Sequence, residues 1–302
     1  MDLKSKIILI YGPTSSGKSE FAIKLARKVK GEIVNADSMQ IYKDLRILTA
    51  RPLKKDLKKI KHHLYGFQDS KKDFSVGDWL KIATKKIEEI RKRKKIPILV
   101  GGTGLYFKAL TDGLVEITSI PKRFRNKIRL LQKNIGQEKF YKKLLKLDPT
   151  IINHIKSTDV QRSIRAYEVE LFTKKSITEW YKSTKSKFKK KEFFKLYIDY
   201  PRPKLIEKIN LRVRQMLDMG AVLEVKNFLK LKISKNKSVS KAIGVLEIKD
   251  LIKKKIDEDE VIEKISIKTR QYAKRQATWA RGHMKSWKKI EPKRLNSFLK
   301  KI

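Results

Sequence analysis

Ile7-Ile8-Leu9-Ile10-Tyr11-Gly12-Pro13-Thr14-Ser15-Ser16-Gly17-Lys18-Ser19 is the stretch on which the fold turns. Residues 7 to 10 are an unbroken apolar, β-branched run, the pattern of a strand buried on both faces. The run passes into Gly12-x4-Gly17-Lys18-Ser19, the spacing of a phosphate-gripping P-loop. An amphipathic helix follows to about Lys28, with Phe21, Ala22, Leu25 and Val29 on its apolar face. Strand, loop and helix in that order are the context the motif requires. Glycines let backbone N–H groups converge on phosphate oxygens, and the helix N-terminus adds its positive end. Lys18 brings a point charge to the terminal phosphates and Ser19 can hold Mg²⁺. Gly12, Pro13, Thr14, Ser15, Ser16, Gly17, Lys18 and Ser19 are therefore expected to bind a diphosphate or a nucleotide such as ATP.

Working outward, Ile33-Val34-Asn35-Ala36 reads as a second strand, ending at Asp37-Ser38. Residues 54 to 63 are basic and read as a helix ending in His62-His63. Trp79, Ile82, Ala83, Ile87 and Ile90 recur at helical spacing within 75–94. Ile96 to Val100 is a third buried strand, which runs into Gly101-Gly102-Thr103-Gly104 and another helix. Strand–helix alternation of this kind gives a parallel sheet with helices on its faces. From Pro121 to about Lys191 strand patterning stops, and basic helices are expected at 121–133, 138–147, 159–173 and 176–185. Residues 193 to 200 return to strand character, and helices at 203–218, 221–231, 241–253 and 259–281 complete the chain. The fold class is α/β: a P-loop NTPase-like parallel sheet flanked by helices, with an all-helical insertion and a helical C-terminal part. The boundaries expected are 1–115 with 193–302 for the core and 116–192 for the insertion.

The 302 residues carry 76 Lys plus Arg against 32 Asp plus Glu, a formal charge of +44. Such a field favours a polyanionic partner, nucleic acid before an anionic membrane. Lysine is spread over the whole chain, as a general codon bias would spread it. Arginine is scarcer and gathers at 123–129, 162–165, 212–214 and 270–281. An arginine kept amid so much lysine points to a need for its planar fork. With no cysteine, thiolate chemistry, Cys-ligated zinc and a disulfide framework are excluded. No apolar run nears the roughly 18 residues that span a membrane. The chain is read as a soluble protein of the cytoplasm that does not enter membranes.

Two further residues stand at strand ends, where ligands sit in such sheets. Asp37 is a candidate general base or magnesium-linked carboxylate; a turn cap is the bland alternative. Thr103 should face the same crevice. The run before Thr103 lacks the acidic residue that ends the matching strand in many P-loop NTPases, which weakens a standard ATPase reading. On a helix, Arg270, Lys274 and Arg281 fall on one stripe, with Tyr272 and Trp279 opposite as the inward side. Arg162 and Arg165 share a face of an insertion helix. Both sets suit a nucleic-acid backbone. His62-His63 lacks metal-ligand spacing and reads as structural or surface. These residues alone leave open a P-loop kinase using Asp37 towards a hydroxyl, and a non-catalytic RNA-binding module.

Six motifs, in order and over nearly the whole chain, resemble the tRNA dimethylallyltransferase family. They are Gly-Pro-Thr-Ser-Ser-Gly-Lys-Ser at 12–19, Asn-Ala-Asp-Ser-Met-Gln-Ile-Tyr at 35–42, His-His-Leu at 62–64, Leu-Val-Gly-Gly-Thr-Gly-Leu-Tyr-Phe at 99–107, Asp-Val-Gln-Arg-Ser-Ile-Arg-Ala-Tyr-Glu-Val at 159–169 and Thr-Arg-Gln-Tyr-Ala-Lys-Arg-Gln-Ala-Thr-Trp at 269–279. The resemblance implies transfer of a dimethylallyl group from dimethylallyl diphosphate to N6 of the adenosine 3′ of the tRNA anticodon. It implies that Asp37 is the general base, that Thr103 sits beside the reacting groups, and that Thr14 to Ser19 hold the departing diphosphate with Mg²⁺. It places Asp37, Ser38, Met39, Gln40, Thr103, Arg125, Gln161, Arg162, Ser163, Ile164 and Arg165 at the tRNA. Lys274, Arg275, Gln276, Ala277, Thr278, Trp279, Ala280 and Arg281 join them. It further implies that the target base leaves the anticodon-loop stack and that the insertion clamps the stem-loop. A monomer is expected. Two departures stand out: Val245 and Leu246 replace a Tyr and a basic residue usual in the family, and Leu45 to Thr49 lacks the usual Gly before the Thr.

Overall fold

The computed structural model describes residues 3, 5–58 and 60–302. The chain forms two compact units, Met1–Thr111 with Phe188–Ile302, and Asp112–Lys187. In chain order the first unit lays down β1 (Ile7–Tyr11), α1 (Lys18–Lys28), β2 (Gly31–Asn35), α2 (Lys54–Leu57), β3 (His62–His63), α3 (Val76–Lys92), β4 (Ile96–Gly101) and α4 (Gly104–Asp112). The second unit holds α5 (Lys122–Leu147), α6 (Val160–Thr173) and α7 (Ile177–Lys182). The first resumes with β5 (Phe193–Ile198), α8 (Arg202–Asp218), α9 (Ala221–Lys230), α10 (Val245–Ile252), α11 (Glu258–His283), β6 (Lys288–Ile290) and α12 (Leu295–Lys300).

The six strands pair in the order β3-β2-β4-β1-β5-β6, every pair parallel. Alternate residues of a strand point to opposite faces, so the apolar run of β1 feeds two cores. Ile7, Leu9 and Tyr11 join Trp79, Ile87, Leu99 and Phe107 on one face. Ile8 and Ile10 join Phe21, Leu25, Ile98 and Ile198 on the other. A third core is built by α8 to α11 around Ile209, Val213, Phe228, Ile248 and Ile265. Helix α3 begins at a capping box of Ser75 and Asp78. Its fully buried Trp79 donates from Nε1 to the Asn35 carbonyl at 2.9 Å, which ties α3 to the end of β2. Truncating such a side chain to alanine costs about 3–5 kcal/mol.

The structure departs from the sequence reading in local ways. Among the described residues of 54–63 only Lys54–Leu57 is helical, and His62-His63 is an edge strand paired with Ile33 and Val34. His63 Nε2 meets Glu32 at 2.6 Å, with Arg93 on the same carboxylate at 2.7 Å. The helices expected at 121–133 and 138–147 meet in α5 at a kink, where Gly136 has φ 78° and ψ 167°. Helix α10 starts only after Gly244, whose φ of 100° breaks the helix expected from residue 241. Strand β6 lies outside every expectation. The second unit has its own core of Phe140, Leu144, Ile151, Val169 and Ile177. No helix among the described residues is long and apolar enough to cross a membrane.

Candidate active site

The loops after β1, β2 and β4 open at one edge of the sheet, and α11 crosses them. In the P-loop, Ser15 (φ 61°) and Gly17 (φ 80°) are left-handed, a turn that gathers backbone N–H groups into a concave nest. Helix α1 has no side-chain cap, so its first N–H groups remain available to an anion. Lys18 Nζ donates to the Pro13 carbonyl at 3.1 Å, folding back over the loop. Burial pushes the Lys18 ammonium down to about 8; Asp37 works against that shift and Arg212 adds to it. Ser19 is exposed at the loop's mouth.

Asn35 and Asp37 form one turn. Asn35 Oδ1 accepts from the Asp37 N–H at 2.9 Å, and Asp37 Oδ1 accepts from the Met39 N–H at 3.0 Å. Thr103 Oγ1 accepts from the Ser38 N–H at 2.9 Å and donates to Ser38 Oγ at 3.2 Å. The β2 and β4 ends are thereby locked together. Tyr272 shares hydrogen bonds with the Thr103 and Gln276 side chains, and burial, then the nearby Asp37 charge, raises its phenol. Tyr65 and Tyr106 are raised for the same two reasons, burial first, and Tyr11 by burial, then by Tyr272 and Tyr197, with Asp37 a lesser cause. Four phenols that burial keeps protonated, together with Lys18 and Arg212, thus lie within electrostatic reach of Asp37.

Gln276 is the bolt of the site. It is buried, its Oε1 accepts from the Thr14 N–H at 2.8 Å, and its Nε2 donates to the Gly102 carbonyl at 2.9 Å. Its own carbonyl accepts from Tyr11 OH at 2.9 Å. A Cβ on Gly102 would lie 2.0 Å from Gln276 Nε2, and one on Gly104 would lie 2.1 Å from Trp279 Nε1, so both glycines are required by close approach. The inward stripe of α11 is therefore Ala273, Gln276 and Ala280. Tyr272 and Trp279, expected on the inward side, are half-buried there: Tyr272 bonds the Thr103 and Gln276 side chains, and Trp279 packs on the core over Gly104 and stacks on His283 at 4.0 Å. The buried amide, satisfied at both ends, sets the rotation of the helix.

Sequence reasoning missed Arg212 as a site residue. Its Nη1 lies 3.4 Å from both Thr14 Oγ1 and Ser15 Oγ. The signal was present, since 212–214 is one of the few arginine clusters, but no motif carried it. Two cavities meet at this point. One, of about 400 Å³, is lined by Thr14 to Glu20, Asp37, Thr49 and Arg212. The other, of about 300 Å³, has an apolar wall of Leu48, Ile209, Val213, Met216, Ile243 and Ile265, with Thr14, Asp37, Ser38, Tyr272 and Arg212 beside it. A third cleft, of about 620 Å³, lies on the other side of α11 and is lined by Arg270, Lys274 and Arg281 with Arg202, Tyr197 and Asp199.

The remaining candidates divide between the units. Met39 and Gln40 lie in the first, where Gln40 Nε2 donates to the Thr49 and Ala50 carbonyls at 2.9 and 3.1 Å. Lys274, Arg275, Thr278 and Arg281 are exposed on α11, Ala277 is half-buried and Ala280 is buried. In the second unit Gln161 and Arg162 are exposed, Arg125 and Arg165 are half-buried, and Ser163 and Ile164 are buried. The side chains of Gln276, Ala280, Ser163 and Ile164 are buried. Val245 is buried and Leu246 exposed. Among the described residues no group of three His, Cys, Asp or Glu could hold a metal. A magnesium ion bound through a ligand's phosphates and a hydroxyl such as Ser19 needs no such group, and the donors at the P-loop fit that mode.

The IPP transferase family model matches residues 40–283. Over all 302 residues the chain is 60% identical to a tRNA dimethylallyltransferase of Pelagibacter ubique, spanning 96% of that protein. It is 40% identical over 294 residues to one of Agrobacterium fabrum, covering 97% of this chain and 99% of the relative. Among solved structures it is similar to a full-length tRNA isopentenylpyrophosphate transferase of Bacillus halodurans, with TM-score 0.70, 28% identity and coverage of 98% and 95%. It is also similar to a eukaryotic dimethylallyltransferase captured acting on tRNA, with TM-score 0.83, 29% identity and coverage of 95% of this chain and 74% of that one.

Proposed function

The chain belongs to the IPP transferase family, and we propose on that footing that it transfers a dimethylallyl group from dimethylallyl diphosphate to N6 of the adenosine 3′ of the tRNA anticodon. The observation that carries this reading is the junction of a diphosphate cradle with an apolar-walled cavity at one carboxylate, Asp37. An apolar wall beside the diphosphate cradle fits a five-carbon allylic chain.

In the reaction the N6 lone pair forms a bond to C1 of the allyl group, the C1–O bond breaks, and diphosphate leaves with the bonding pair. The N6 proton passes to the Asp37 carboxylate. An adenine amine is a poor nucleophile, and a positioned base contributes typically about 10²–10⁴-fold. Asp37 is held for this by Asn35 and the Met39 N–H. The P-loop N–H groups, Lys18 and Arg212 face the charge that develops on the leaving oxygen, in an arrangement fixed before the ligand arrives. Ser19 with the diphosphate would hold Mg²⁺, which supplies further charge neutralisation when bound. The role of Thr103 is to fix Ser38 and the Asp37 turn beside the reacting atoms. Exposed Lys274, Arg275, Thr278 and Arg281, the turn from Asp37 to Gln40, and Arg125, Gln161, Arg162 and Arg165 of the insertion contact the anticodon stem-loop. The enzyme acts as a monomer in the cytoplasm.

The test is incubation with an anticodon stem-loop RNA and either dimethylallyl diphosphate or ATP, followed by nucleoside mass spectrometry. Adenosine heavier by one C5H8 unit with the first donor, and no phosphorylated RNA with the second, is expected. A phosphorylated product would instead establish a kinase.

A further inference from the structure

We infer that Glu168 is a positioning residue for RNA, a buried carboxylate that gathers the arginines of the insertion into one phosphate-reading fork. The inference rests on the tRNA reading above. Glu168 lies on α6 with its side chain only 1% exposed. Three guanidinium groups surround it: Arg125 Nε at 3.3 Å, Arg129 Nε at 3.8 Å and Arg165 Nη1 at 3.6 Å. Two come from α5, four residues apart and so about 6 Å along that helix; the third comes from α6 itself.

A stabilising ion pair would need one guanidinium, which can satisfy a carboxylate bidentately. Here a single negative charge is shared by three positive ones, which leaves an excess of two. Oε1 makes no hydrogen bond and has the Arg129 Nε at 3.8 Å. Three cations so close would repel one another and splay into solvent without the anion between them. With it they converge, and they keep 41%, 54% and 39% of their side chains exposed. Their outer N–H donors are thus presented together to water, in the planar geometry that suits phosphate oxygens. Arg162, one turn before Arg165, extends the same helix face and is tethered to Asp159 at 3.3 Å. The scarcity of arginine in a lysine-rich chain makes the choice of residue specific.

Counting charges and positioning them lead to opposite expectations. Removing the Glu168 charge makes the protein more cationic, so by net charge alone RNA should bind tighter and with a steeper salt dependence. Positioning gives the reverse. The experiment measures anticodon stem-loop affinity by fluorescence anisotropy across a salt series, with prenyl-transfer kinetics in parallel, for the wild type, Glu168→Gln and Glu168→Asp. Glu168→Gln should weaken RNA affinity and raise the KM for RNA about tenfold. It should also flatten the log–log salt slope by about 0.7, the share of one phosphate, and leave kcat at saturating RNA within about twofold. Glu168→Asp, which keeps the charge, should stay within about threefold of wild type. Affinity unchanged or improved in Glu168→Gln would overturn the inference. So would equal losses in both variants, which would assign Glu168 to packing. Anisotropy reads the fork whether or not the RNA is prenylated, so a wild type that binds but does not prenylate contradicts the proposed reaction alone.

Discussion

Gln276 in the first unit and Glu168 in the second are both buried polar side chains, yet their partners are of opposite kinds. Gln276 is neutral and bonded to backbone at Thr14 and Gly102. Glu168 is charged and surrounded by guanidinium groups. The cleft is built with neutral hydrogen bonds, which leaves Lys18, Arg212 and Asp37 free to act on a ligand. The insertion has its arginines arranged by charge itself. The difference teaches that chemistry and RNA grip are separable here, so damage to one unit should show in kcat and damage to the other in affinity and salt dependence.

The sharpest way to break that contrast is Asp37→Asn. It keeps the turn, because an amide oxygen can still accept from Met39, but removes the base. Single-turnover prenyl transfer should fall about 10²–10⁴-fold with RNA affinity within about twofold. Near-normal turnover would remove Asp37 from the chemistry. Next comes Gln276→Ala, which strands the Thr14 N–H and the Gly102 carbonyl, each worth about 1–3 kcal/mol when buried without a partner. Turnover should drop about 10–100-fold, and the melting temperature should fall too; an unaltered rate would mean the P-loop does not need this bolt.

How much of this could be read from the residues alone varies with the length and kind of signal. The P-loop, Asp37 and Thr103 were legible because a motif fixes spacing and each lies at the end of a strand with five or more buried residues. Strands β3 and β6 were not, since two or three residues carry no period. Gln276 was legible only as one of the RNA contacts the resemblance implies; its bonds to Thr14 and Gly102 require α11 to pack over the strand ends. Arg212 has no local motif, because its partners Thr14 and Ser15 lie almost two hundred positions away. The arginines of the insertion were visible as a cluster, but the shared carboxylate requires α5 and α6 to meet.

Smaller effects sharpen the comparison. Arg162→Ala with Arg165→Ala should raise the RNA dissociation constant about tenfold and lower the salt slope by roughly 0.7 for each phosphate no longer neutralised, with kcat near wild type at saturation. An unchanged slope would make the insertion's charge mere decoration. Lys18, pushed down to about 8 in the free cleft, gives a pH signature. The ammonium is the form that binds an anion, so diphosphate affinity in the absence of RNA should be flat below pH 8. It should weaken as pH rises through that value, by up to about tenfold per pH unit. Calorimetric titration with diphosphate at several pH values would show it, and a flat profile to pH 10 would place Lys18 away from the ligand's charge.

At the centre stands the diphosphate in the P-loop as a leaving group. The direct measurement is diphosphate released against prenylated adenosine formed, with wild-type enzyme, dimethylallyl diphosphate and stem-loop RNA. One diphosphate per modified adenosine, and none without RNA, is the predicted result. RNA-independent release, or release with no prenyl group on the RNA, would contradict it.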